Sequence, residues 1–174
     1  MKNNYSPDII TAFNFLGIYQ IIGGIIGFVL MLVLLSDLAE IPILLFALLS
    51  VAFLLFGYSI WCGILLVKKK TSGLKHSTIN QFLQLVTVAF LGYSFKYASG
   101  VFFTIGFDIT DGFLFTFNLG ISSWQMEINS GAPTIAVSLN FVALFLIIYI
   151  SKLKIKVHSQ WMQNQITQIG EPVI

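Results

Sequence analysis

Lys96 is the side chain best placed to do chemistry. It is the one Lys inside a long hydrophobic run, where an ionisable group is costly and often marks an ion or ligand site. Its position about two helical turns from the outer end of that run also allows its stem to snorkel to water, or to pair with Asp37, Glu40, Asp108 or Asp111. A second candidate is a layer of neutral polar groups. Gln20, Tyr58, Gln84 and Asn140 each fall in a different hydrophobic run. At about 1.5 Å per residue they lie at similar depth, roughly 9–15 Å from the Lys-rich boundary. Such a layer joins helices in register, or lines a path for a substrate or ion.

Signatures of catalysis are missing. His76 and His158 stand in Lys-rich segments with no HExxH, paired Cys or carboxylate cluster beside them, and no GxSxG elbow or Gly-rich phosphate loop occurs. Cys62 is the only cysteine, which excludes an internal disulfide and a CxxC redox pair. We therefore expect no catalytic residue, no metal and no cofactor. Nucleic acid is not an expected partner either, because the chain has no basic fold and no Arg.

The elements that must carry these residues read as membrane spans. The chain is 57% hydrophobic and 9% charged, far from the balance of a soluble domain. Four apolar runs, about 11–35, 41–67, 78–103 and 133–150, approach or exceed the roughly 20 residues that cross a bilayer. Pro42 sits in the opening turn of the second and Pro133 at the first position of the fourth. The expected fold is an all-α, four-transmembrane-helix bundle over residues 1–156, with a cytoplasmic tail at 157–174. Lys2, Lys68, Lys69, Lys70, Lys75, Lys152, Lys154 and Lys156 all lie in segments that share one side of such a bundle. The positive-inside rule makes that side cytoplasmic and puts both termini there, in a bacterial inner membrane.

Small residues mark packing seams. Gly17, Gln20, Gly24, Gly27 and Met31 follow spacings of three and four, and Gly23 with Gly27 forms a GxxxG pair, the pattern that lets helices approach closely in lipid. In the third run, Asn80, Gln84, Thr87, Leu91, Ser94 and Ala98 repeat that spacing, and Gly92 shares the face of Lys96.

Residues 104–132 behave differently. Phe113, Phe115, Phe117, Leu119 and Ile121 alternate with Leu114, Thr116, Asn118 and Gly120, a period of two that predicts a strand. The phase flips after Ser122-Ser123. A three-residue turn, Thr110-Asp111-Gly112 with Gly112 left-handed, pairs Phe107 with Phe115 and Ile105 with Phe117, which keeps the apolar side chains on one face. The expectation is an extracytoplasmic β-hairpin or three-strand cap between the third and fourth helices, resting on the helix ends or dipping into the headgroups.

Two function classes follow. The first is a non-catalytic accessory, assembly or interaction subunit in contact with the lipid bilayer and a membrane-protein partner or a second copy of itself. The second is a small homo-oligomeric channel or transporter using Lys96 and the polar layer.

Overall fold

Pro7 opens a long helix, α1 (Pro7–Ser36), in the position where a missing N–H costs nothing, with Asp8 in its first turn. After it, α2 (Ile43–Val67) starts from Pro42 and stops at Lys68. The computed structural model describes residues 5–36, 42–131 and 133–170; Lys2, Asp37, Glu40 and the last four residues lie outside them. Beyond the Lys run come α3 (Thr71–Leu83), strands β1 (Val86–Phe90), β2 (Tyr93–Asp108), β3 (Leu114–Glu127) and β4 (Ile135–Asn140), and α4 (Phe141–Gly170).

The expectation of an all-α four-helix membrane bundle is overturned: the chain is an α+β fold with a four-stranded antiparallel sheet. Two helices, α1 and α2, are long and apolar enough to cross a membrane. The expected third span breaks after Gln84, because Val86, Val88 and Phe90 alternate with Thr87 and Ala89 and suit a pleated surface. The expected fourth span breaks likewise. Ile135, Val137 and Leu139 alternate with Ala136, Ser138 and Asn140, so Pro133 precedes a strand and the helix starts only at Phe141. Hydropathy summed over a run does not separate these periods; alternation does.

The sheet order is β1-β4-β2-β3, and β1 also pairs with β2. The pairings therefore run in a circuit, from the start of β2 to β1, to β4, and back to the end of β2. Leu91 and Gly92, with φ of 44° and 88°, make the two-residue turn between β1 and β2; two positive φ values suit the twist of a tight hairpin. In the β2–β3 ladder, Phe107 stands opposite Phe115 and Ile105 opposite Phe117, the register expected from the sequence. Gly112 does take a positive φ, 149°, outside the left-handed helical well. The register shifts between Ala98 and Val101, where Ser122 (φ 47°) and Gly100 (φ 96°) form a bulge. This is the place at which the alternation changes phase in sequence.

Two apolar clusters hold the layers together. One joins Ile9, Phe13 and Leu16 of α1 to Leu66, Leu74 and to Leu146, Ile150, Leu153 and Val157 of α4. The other joins Met31 of α1 and Leu49, Ala52 and Phe56 of α2 to Tyr97, with Phe95 and Trp124 against it. Helices α3 and α4 thus flank the Lys-bearing end of the α1–α2 hairpin, and the sheet flanks its other half. The aromatic face of β3 does not rest on the helices: Phe115, Phe117 and Leu119 are 61%, 67% and 72% exposed.

Candidate functional site

The α1–α2 seam is built on missing side chains. A Cβ on Gly17 would lie 2.8 Å from the Gly63 carbonyl, one on Gly24 2.8 Å from the Phe56 carbonyl, and one on Gly27 2.0 Å from the Phe56 ring. Gly23 faces elsewhere. Its Cβ would fall 2.3 Å from the Gly100 nitrogen, so the bulge of β2 lies directly on α1. Ser122 Oγ fastens that contact, donating to the Gly23 carbonyl at 2.8 Å and accepting from Gly100 N–H at 3.1 Å. Tyr19 OH donates to the Val101 carbonyl at 2.8 Å. Gly92 belongs to no helix seam; it is in the β1–β2 turn.

Between α1, α2, α3 and β2 lies a buried polar network. Ser59 Oγ is its centre: it donates to the Gln20 carbonyl (3.1 Å) and accepts from Asn80 Nδ2 (3.1 Å) and Ser99 Oγ (2.8 Å). One donor and two acceptor sites use the full capacity of a hydroxyl. Tyr97 OH sits 2.8 Å from the Leu55 carbonyl and 3.1 Å from Asn80 Oδ1. Burial holds its phenol far above the ordinary pKa, so it stays a neutral donor. Gln84 bridges the Asn80 carbonyl (3.2 Å) and Ser99 N–H (2.8 Å), and Ser77 Oγ donates to Gln20 Oε1 at 3.3 Å. Two amide nitrogens, Gln20 Nε2 and Gln81 Nε2, are buried without a hydrogen-bond partner among the described residues.

Of the four residues placed in one polar layer by the sequence, Gln20 and Gln84 meet here. Tyr58 and Asn140 do not. Tyr58 OH lies 3.1 Å from His76 Nδ1, beside Trp61. Asn140 is the N-cap of α4, its Oδ1 accepting from Val142 N–H (3.1 Å) and Ala143 N–H (3.3 Å), which satisfies first-turn donors. Lys96 is not inside a helix. It projects from β2 with its Nζ 4.6 Å from the centroid of the Phe102 ring. Partial burial lowers its pKa, and no carboxylate among the described residues is within ion-pair distance.

Ser59, Ser77, Tyr97 and Ser99 enter the network without having been singled out for it. A signal existed for α3. Ser77, Asn80, Gln81 and Gln84 recur at i, i+3, i+4 and i+7 and are all buried, so the inward face of that helix is its polar one.

A second polar region lies at the Lys-bearing end. A cleft of about 470 Å³ between α3 and α4 is lined by Lys75, Lys154, His158, Trp161 and Tyr5 among others, with no carboxylate among the lining residues. It shares no residue with the buried network. Nearby, Lys156 pairs with Asp8 at 3.1 Å on the exposed surface, a pair worth little by itself. Lys69 donates to Asn14 and ties the end of α2 to α1. Cys62 is fully buried and unpaired. Among the described residues, no three His, Cys, Asp or Glu come close enough to hold a metal. No protein-family model, curated protein or solved structure matches the chain.

Proposed function

We propose that the chain is an integral membrane protein that crosses the bilayer with α1 and α2 and acts as a non-catalytic interaction subunit. The membrane part rests on exposure. In the most apolar stretch of each helix only 28% and 22% of residues are buried, whereas a core helix of a soluble protein is mostly covered. Phe15, Ile18, Ile22, Ile25 and Val29 run as an exposed stripe along α1, at the spacing of one helix face. The Lys residues that follow the C-terminal end of α2 and lie along α4 favour the cytoplasmic side of an inner membrane for that end.

The interaction part is carried by β3. Its outer edge has no partner strand among the described residues along Leu114–Glu127, and its apolar face is open. An unpaired strand edge is a template for a further strand, and in lipid its unmet N–H and C=O groups are expensive. The circuit of β1, β2 and β4 removes this cost on the other side of β2. The buried network argues against a channel, since most of its hydroxyls and amides are bonded within the protein and it shares no residue with the α3–α4 cleft.

Photo-crosslinking in native membranes tests both parts. A benzophenone side chain at Ile25 should give lipid adducts, and one at Leu119 a protein adduct of defined mass. Absence of lipid adducts at Ile25 would remove the membrane reading. Lipid adducts alone at Leu119 would remove the interaction reading.

A further inference from the structure

We infer that the cleft between α3 and α4 binds a phosphate group, and that its source is the headgroup of an anionic lipid. Several features converge on one volume. Lys75 comes from α3 and Lys154 from α4, 79 positions later in the chain, and both line the cleft. Lys154 spends one of its three donors on Thr78 Oγ1, at 2.8 Å. Lys75 makes no ion pair among the described residues. Thr71, in the opening turn of α3, lines the same cleft, and Lys70 at the N-cap supplies no side-chain hydrogen bond to that turn. Gly73 N–H already bonds the Lys70 carbonyl at 2.9 Å, which leaves the N–H groups of Thr71 and Ser72 and the positive end of the helix dipole for an anion.

The wall is suited to a lipid. His158 stacks on Trp161, centroids 6.2 Å apart at 21°, and Trp161 is half-exposed. Tyr5 lines the cleft as well. Amphipathic rings of this kind favour the depth at which headgroups lie. The apolar part of α2 ends at Val67, a few residues before Thr71, with Lys68, Lys69 and Lys70 between. The cleft therefore opens where the hydrocarbon region would end. With no carboxylate among the described lining residues, charge complementarity favours an anion and disfavours a zwitterionic headgroup. The chemistry, phosphate recognition by two ammonium groups and a helix start, stands without the membrane reading; the choice of a lipid as source rests on it.

The test uses the full chain in neutral detergent, with dihexanoyl phosphatidic acid, dihexanoyl phosphatidylcholine and inorganic phosphate as probes, read by saturable change in Trp fluorescence. Phosphatidic acid should bind saturably and phosphatidylcholine should not. Lys75→Gln with Lys154→Gln should weaken binding roughly tenfold or more, since charge-assisted hydrogen bonds are the strong ones. Lys68→Gln, which removes a charge outside the cleft, should leave binding unchanged. Inorganic phosphate as tight as the lipid would keep the phosphate site and overturn the lipid as its source. No saturable binding of either, or an equal loss with Lys68→Gln, would overturn the site. Because the probes are soluble and the protein is in detergent, either failure is separate from the lipid adducts expected at Ile25.

Discussion

At the junction of α1, α2, α3 and β2, Gln20, Ser59, Asn80, Gln84, Tyr97 and Ser99 are buried and bonded to one another. At the far end of the β2–β3 hairpin, Phe113, Phe115, Phe117 and Leu119 face outward, with the Phe107 and Phe115 rings in tilted contact, centroids 4.8 Å apart at 58°. The polar groups of the first region are covered, with Tyr97 among them, and the aromatic groups of the second are exposed. In water the exposed aromatic end of this arrangement would be unfavourable. In lipid it is coherent, because hydrocarbon gives apolar side chains no reason to turn inward, and hydrogen bonds and close packing must then specify the core. The network and the glycine seams supply these, and under the proposed function the hairpin offers a surface to lipid or a partner strand.

The comparison is broken most severely where the two regions meet. Gly23→Leu would drive a side chain into backbone at Ser99 and Gly100, the nearest atom only 2.3 Å from the new Cβ. Backbone cannot step aside as a flexible side chain can, so the loss should reach or exceed the upper end of the roughly 1–3 kcal/mol usual for overpacking. The expected result is a large fall in thermal midpoint in detergent, or loss of folded protein. An unchanged midpoint would mean that the bulge does not lie on α1.

Asn80→Leu tests the network itself. It puts an apolar side chain of broadly similar size in place of the amide, removing the donor to Ser59 and an acceptor for Tyr97. Leaving buried groups unpaired should destabilise by about 1–3 kcal/mol, read from the same thermal unfolding. A stabilised variant would show that the polar centre does not organise the fold.

The smallest effect is expected at Lys96, which belongs to neither extreme. Its pKa is lowered by burial, so the fold disfavours the ammonium form. The resulting cost is present at pH below the lowered value and fades as pH rises through it, while the Phe102 contact works in the opposite sense. Lys96→Met should therefore shift stability within about 0.5 kcal/mol, and the variant should respond less to alkaline pH than the parent. Transport by the pure protein in vesicles that disappears with Lys96→Met would instead favour the channel or transporter.

Much of the local architecture is legible in the residues. Long apolar runs bounded by Pro7, Pro42 and the Lys68–Lys70 break mark α1 and α2. The alternation from Phe113 onward sets the register of β3 on β2, because a one-residue slip would turn every aromatic to the other face. The change of phase at Ser122 marks the bulge. What is not legible is decided by partners far away in sequence. The segments around Val86–Phe90 and Ile135–Asn140 carry short alternations inside longer apolar runs, and only the tertiary structure decides that the two strands pair with each other. Asn140 is a buried cap of α4 rather than a member of the polar network because the helix starts after it. Gly23 meets Gly100, Ser59 meets Asn80 and Ser99, and Lys75 comes to line the same cleft as Lys154 only when α1, α2, α3, α4 and β2 are assembled. Sequence spacing fixes which side chains share a face within one element. Which faces then touch depends on strand pairing and helix contacts across tens of residues, where no local period carries the information.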